Sequence, residues 1–241
     1  MKLTKFKALS FDCYGTLIDW ETGIEALVRP WLAAINSPIP VDLVLSSFAL
    51  MQAKHQQVRP ALLYSEVMRR TWHDIEGQFG WDADAGHAEA FARSVAEWPP
   101  FADTVDSLRY LSQHYKLTIL SNVDNASLAG TLKLLQVPFT FTVTAEDVGS
   151  YKPGLPHFEK AIQKLGAIGI KKDELLHVAQ SKHHDINPGR QLGLTTVWVN
   201  RRFNKRGSGA TLATDATPHL TVTSLVELVQ LHKAELNITA A

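Results

Sequence analysis

The chain has 241 residues, with 24 Lys and Arg set against 24 Asp and Glu, ten His and a single Cys. Zero formal charge leaves no basic footprint for nucleic acid and no polybasic stripe for a membrane surface. One Cys excludes both an internal disulfide and a multi-Cys zinc site. With 45% apolar and 20% charged residues the composition is that of a folded globular chain, and no apolar run approaches the ~18 residues a membrane helix needs. Lys5 and Lys7 interrupt the start before Asp12, so no secretory signal is read and a cytoplasmic protein is expected.

In chain order, residues 8–12 form a short apolar run that closes on Asp12-Cys13-Tyr14-Gly15-Thr16, a strand followed by a turn. From residue 21 to about 98 the spacing becomes helical, notably over 41–58 and 64–79, with breakers at Pro38, Pro40, Pro60 and Gly80. Nothing there reads as a strand. Trp98-Pro99-Pro100 closes the region as a rigid connection. Beyond it, helical stripes (Val105, Leu108, Leu111; Leu128, Leu132, Leu135; Phe158, Ile162, Leu165; residues 225–231) alternate with strand-like runs at 116–121, 139–144, 175–179 and 195–200. Residues 201–209, with four basic side chains, are expected as a solvated loop, and 237–241 as a frayed tail.

Buried-looking strands alternating with helices predict an α/β fold on a parallel, Rossmann-like sheet. The core takes residues 1–19 and 99–241, and an all-helical segment, 20–98, is inserted between its first strand and the rest. Ligands bind such sheets at the carboxyl ends of the strands. Four polar positions stand there: Asp12, Ser121-Asn122, Lys152 and Asp185. Each has an ordinary explanation on its own, as turn residue, helix cap, loop lysine or helix N-terminal acid. Their order and spacing together do not.

That order resembles the haloacid dehalogenase superfamily: motif one at Asp12-Cys13-Tyr14-Gly15-Thr16-Leu17, motif two at Ser121-Asn122, motif three at Lys152 and motif four around Asp185. The resemblance covers essentially the whole chain and makes the insertion a helical cap. It implies Asp12 as nucleophile. Phosphatases of the superfamily carry a second Asp two places later as general acid; here that place holds Tyr14, a poor proton shuttle with a reference pKa of about 10. A halide leaves without a proton, and the motif resembles the L-2-haloacid dehalogenase branch. Magnesium-dependent members carry an acid five residues before the last motif-four Asp, where this chain has Gln180, a weak partner for a hard dication. No metal and no cofactor are therefore expected.

The resemblance implies hydrolytic dehalogenation of a short 2-haloacid. Asp12 displaces halide to form an aspartyl ester, which water opens to a 2-hydroxy acid. Lys152 keeps Asp12 ionised and oriented, Thr16 orients it by a hydrogen bond, and Asp185 is the candidate base or water-orienter. Ser121, Asn122 and the backbone N–H groups after Asp12, those of Cys13 and Tyr14, bind the substrate carboxylate. The Cys13 thiol itself reads as core. The halide cradle is expected from the cap at Arg59, with Lys54 and His55 as competitors, and Trp20 either walls the pocket or packs.

Three departures from the branch stand out: Lys182 where Asn is usual, the dipeptide His183-His184, and Val123-Asp124 after motif two. His184, counted among the substrate-binding residues, either shares the hydrolytic step or merely caps a helix. Two other chemistries remain open, a phosphatase lacking its usual acid and cleavage of a carbon–nitrogen bond. A small-molecule partner is expected, without nucleic acid or membrane, and a homodimer is possible by resemblance alone.

Overall fold

The central strand β1 (Ala8–Asp12) is buried along its whole length. It explains the sheet, because a strand paired on both edges and covered on both faces must be apolar throughout. The computed structural model describes residues 1–82, 84–204 and 214–239. β2 (Lys116–Ser121), β3 (Phe141–Thr144), β4 (Leu175–Ala179), β5 (Thr195–Val199) and β6 (Leu220–Val222) complete a six-stranded sheet ordered β3-β2-β1-β4-β5-β6. Every pairing is parallel. The order reverses at β1, so the crevice opens beyond the ends of β1, β2 and β4. Leu9 and Phe11 belong to the larger core cluster, and Ala8 packs on the other face with Leu120, Phe158 and Leu165.

Among the described residues, four α-helices and a 3-10 turn, Val95–Glu97, lie between β1 and the Pro99-Pro100 connection: α1 (Trp20–Ala34), α2 (Val41–Gln56), α3 (Tyr64–Phe79) and α4 (Ala85–Ser94). Asp19 caps α1 through the Thr22 amide at 3.2 Å, and Gly80 ends α3 at φ 66°, the left-handed geometry glycine favours at a helix C-terminus. The helices share an aromatic core in which Trp31 meets Trp72 and Trp81 edge-on. The two connections to the sheet domain pair with each other, Asp19 N donating to Pro99 O and Phe101 N to Leu17 O. Gly23 lets Trp98 close over this junction; a Cβ there would stand 2.3 Å from the indole.

After the junction come α5 (Thr104–Leu111), α6 (Asn125–Leu135), α7 (Ala145–Val148), α8 (Pro156–Gly166), α9 (Asn187–Gln191) and α10 (Leu225–Thr239). β6 escaped the sequence reading because three residues give too short a run to show a period. The run at 139–144 is strand only from Phe141. The helix at the chain's end continues to Thr239, while Ala240 and Ala241 lie outside the described residues. No described helix is long and apolar enough to cross a membrane.

The expected solvated loop needs correction at its start. Arg201 is buried to 8% side-chain exposure, makes a two-oxygen ion pair with Asp103 and donates twice to the Thr16 carbonyl. Its charge follows the local demand of Asp103 and an unfilled carbonyl, which a count of basic residues cannot reveal. Residues 205–209 of that stretch lie outside the described residues.

Asp124 joins the two parts of the molecule. Its Oδ1 caps α6 at the Ser127 amide (2.9 Å), and its Oδ2 accepts from the Ser65 amide of α3 (2.8 Å). The residue before α3, Leu63, has no capping side chain, so the sheet domain supplies the missing cap. Burial opposes its ionisation, but the Ser127 and Ser65 amides outweigh burial and hold its carboxyl below the usual range. Asp124→Ala is expected to cost about 1–2 kcal/mol in denaturant melts at neutral pH. Because the folded pKa is depressed, this contribution is present above the unfolded pKa and fades as pH falls through the folded one. An unchanged midpoint at pH 7 would contradict the shared cap.

Candidate active site

The turn after β1 is shaped by Gly15, whose φ of 96° suits glycine and whose missing Cβ leaves room for Trp20 and Gln180, each 3.3 Å from where it would stand. The Cys13 carbonyl accepts from the amides of Thr16, Leu17 and Ile18, which draws Thr16 back beneath Asp12. Thr16 Oγ1 donates to Asp12 Oδ2 at 2.7 Å and accepts from the Gln180 amide at 2.9 Å. The threonine hydroxyl thus fixes one carboxylate oxygen and is itself held by the loop after β4.

Lys152 fixes the other oxygen. Its Nζ donates to Asp12 Oδ1 (2.9 Å), Asp185 Oδ1 (2.7 Å) and the Leu120 carbonyl (2.9 Å), so all three ammonium protons are used. Asn122 holds the lysine backbone on both sides, Oδ1 accepting from the Lys152 amide (2.7 Å) and Nδ2 donating to its carbonyl (3.2 Å). Burial works against each charge in this group. For Lys152 the two carboxylates more than offset it and raise the ammonium pKa. For Asp185 the Lys152 charge and His177 outweigh burial and bring the carboxyl to about 2. For Asp12 burial prevails over Lys152, and the carboxyl titrates above its ordinary value.

Asp185 sits in a single wide helical turn, Lys182–Ile186, where the Ser181 carbonyl accepts from both the Asp185 and Ile186 amides. Such turns recur at functional sites because the extra residue re-aims a side chain. Here it turns Asp185 inward, where Oδ1 also meets His177 Nε2 at 3.3 Å while His177 Nδ1 meets Ser10 Oγ at 2.9 Å. Ser181 caps the turn, accepting from the His184 amide at 3.0 Å.

These groups open on a cavity of about 100 Å³. Asp12, Ser121, Asn122, Lys152 and Asp185 line its floor, with Ser181 and His184 beside them. The helical insertion supplies the facing wall through Trp20, Phe48, Gln52, Gln56 and Tyr64. The Tyr14 ring also lines it, but its hydroxyl bonds Thr131 Oγ1 at 2.7 Å, and burial first, then Cys13, pushes its pKa well up.

The structure thus brings together Asp12, Thr16, Lys152, Asp185, Ser121, Asn122, Tyr14 and His184. It does not bring Arg59 to them. Phe48, Gln52 and Gln56 recur every four residues on the inward face of α2, and Arg59 lies beyond the helix end, exposed, donating to the Gln56 and Val58 carbonyls. Lys54 and His55 both bond Asp74 instead. The Asn122 side chain lines the cavity and also brackets the Lys152 backbone. The Cys13 thiol is buried; burial and then Asp12 raise its pKa well above the ordinary value. Gln52, Gln56, Phe48 and Ser181 were missed as site residues, although the four-residue spacing on α2 was visible.

The donor set does not fit a hard dication. Lys152 Nζ already bridges the two carboxylates, position 180 is an amide, and no group of three or more His, Cys, Asp or Glu among the described residues could hold a metal.

Lys152→Met is expected to leave two buried carboxylates without their cation. Removing one partner of a buried ion pair costs about 3–5 kcal/mol. The loss should be largest at alkaline pH and shrink as pH falls. Without the ammonium the folded carboxyl pKa values rise above the unfolded ones, so protonation then favours the folded state. Urea melts from pH 5 to 9 check this, and a pH-independent loss would refute it.

A family model, haloacid dehalogenase-like hydrolase, matches residues 6–193. The chain is 30% identical to the pyrimidine 5′-nucleotidase YjjG of Escherichia coli (strain K12), over 94% of this chain and 98% of that one. It is 24% identical to haloacetate dehalogenase H-2 of Moraxella sp. (strain B), over 95% and 99%. Its fold matches the solved structure of L-2-haloacid dehalogenase from Xanthobacter autotrophicus with chloropropionic acid covalently bound, at a TM-score of 0.77, 19% identity, and coverage of 95% and 98%. Curated relatives thus include a nucleotidase and a haloacetate dehalogenase. The chain belongs to the haloacid dehalogenase-like hydrolases.

Proposed function

We propose that the protein is a metal-independent hydrolase of short 2-haloacids, in which residues 20–98 act as a cap over a core made of residues 1–19 and 99–241. The observation that carries this reading is the pairing of an anchored Asp12 carboxylate with a Tyr14 hydroxyl turned away to Thr131. A carboxylate held at both oxygens and facing a small cavity is suited to in-line attack on carbon. The residue two places on supplies no proton, which suits a leaving group that departs as a stable anion.

In this mechanism an Asp12 oxygen attacks the carbon bearing the halogen, the carbon–halogen bond breaks with inversion, and an aspartyl ester remains. Lys152 keeps the carboxylate ionised against burial. Thr16 holds its plane. Ser121 and the backbone N–H groups of the turn after Asp12 receive the substrate carboxylate. The halide departs toward Trp20, Phe48, Gln52 and Gln56, a wall of rings and neutral amides. Water then opens the ester and releases a 2-hydroxy acid.

The relation to a nucleotidase favours a second reading, phosphate-ester hydrolysis. Charge opposes it. Lys152 is the one Lys or Arg among the described residues lining the cavity, and it already faces two carboxylates. A phosphate dianion would bring two negative charges into a site of net negative charge, where a 2-haloacid carboxylate brings one.

Incubation with each enantiomer of 2-chloropropionate, without added metal, is expected to release halide and leave an ester on the peptide holding Asp12. Asp12→Asn should abolish both. Phosphate release from a nucleoside monophosphate on adding magnesium, with no halide from any haloacid, would replace this reading by the second.

A further inference from the structure

Hydrolysis of an Asp12 ester needs a group that takes a proton from water. Asp185 is badly placed for this. Its Oδ1 accepts from both Lys152 and His177, and its Oδ2 is sealed from solvent without a hydrogen-bond partner. Lys152 has no proton or lone pair to spare, since all three N–H groups are bonded. His177 is fully buried behind Asp185 and bonded at both ring nitrogens. Tyr14 is bound to Thr131.

His184 differs from all of these. It lines the same cavity as Asp12, and Nδ1 lies 3.2 Å from Ser181 Oγ. Ser181 Oγ also accepts the His184 amide at 3.0 Å. A serine oxygen has two lone pairs, so it can take the amide with one and Nδ1–H with the other. That tautomer leaves Nε2 as a bare acceptor, and Nε2 has no hydrogen-bond partner among the described residues. His183, edge-on at 4.9 Å, limits rotation of the ring.

Resting on the ester mechanism above, we propose that His184 is the general base of the hydrolytic half-reaction and Ser181 its positioning residue. Nε2 takes a proton from water as the water oxygen bonds to Cγ of the Asp12 ester. The tetrahedral intermediate then collapses, the bond from Cγ to the substrate oxygen breaks, and the departing alkoxide recovers the proton from Nε2. Asp12 is regenerated as a carboxylic acid and releases its own proton to solvent, so the full cycle yields one halide, one proton and one 2-hydroxy acid. Burial, and then Lys152 and His183 against the opposing Asp185, bring the imidazole to about 4, so it enters the step neutral. In Asp185, Lys152 and His177 outweigh burial and hold the carboxyl below its usual range. Asp185 then acts by holding Lys152.

The test is single-turnover kinetics with 2-chloropropionate on the full chain, reading halide and the mass of the Asp12 peptide in the same quenched samples. His184→Gln is expected to release about one halide per site at close to the wild-type rate, to accumulate the ester, and to lose about 100-fold or more in steady-state turnover. Ser181→Ala, a smaller change that leaves the ring in place, should accumulate the ester with about a tenfold loss. Accumulation is the decisive signal, because a merely structural defect would slow both halves and trap nothing. Turnover within about threefold of wild type in both variants, with no ester build-up, would overturn the role of His184 while leaving the haloacid reading intact. No halide and no adduct in the wild type would remove the haloacid reading itself, and the base with it.

Discussion

Lys152 Nζ is the point on which the site depends. Three segments distant in sequence, the end of β1, the end of β2 and the turn at 182–186, each present it with one oxygen. Two carboxylates this close and this buried cannot both stay ionised without a cation between them. The ammonium therefore permits the charged form of Asp12, and it also fixes the distance between the segments that carry the acids. Asn122 explains why the lysine arrives in register: it bonds the amide and carbonyl of the same residue and sets the backbone before the side chain extends. Thr16 extends the network outward, since Arg201 holds its carbonyl and Asp103 holds Arg201.

The helical insertion contributes shape more than charge. Its inward face on α2 carries Phe48, Gln52 and Gln56, with Tyr64 donating to Gln52 Oε1 at 2.6 Å. That bond leaves the Gln52 amide NH₂ as the free end. Hydrogen-bond donors of this kind can support developing negative charge without the desolvation cost of a buried cation. The insertion is held near the sheet by backbone bonds at its two connections, by Asp124, and by a buried apolar cluster that runs from Leu9 and Phe11 of the sheet to Ile24 and Val28 of the insertion.

Much of this was legible in the sequence, and the limits have physical causes. The long strands showed as apolar runs because burial on both faces demands it, and Asp12, Ser121, Lys152 and Asp185 showed as polar residues at their ends. Tyr64–Phe79 was read to the residue because Gly80 marks its stop. β6 was too short to carry a period. Arg59 was chosen by charge and region, whereas the side chains that face inward are fixed by the phase of α2, which ends at Gln56. Arg201 was read as solvated since its partner Asp103 lies 98 residues away. His184 was singled out from its place beside Asp185, but its pairing with Ser181 was hidden for another reason. A wide turn re-aims side chains by one position, and sequence spacing cannot distinguish it from an ordinary helical start.

A floor of aspartate, lysine and aspartate such as this one can serve any reaction that begins with carboxylate attack, whether on phosphorus or on carbon. What separates the two chemistries is the disposition of protons and charge around that floor. An attack on a phosphate ester needs a proton for the leaving alkoxide and positive charge for the phosphoryl oxygens. In this chain the first place is held by Tyr14, whose hydroxyl is turned to Thr131, and the second by neutral amides and rings. An attack on a carbon–halogen bond needs neither. It does need a base afterwards, when the ester must be opened, and the residue poised for that, His184, stands at a position where the resemblance offered no counterpart.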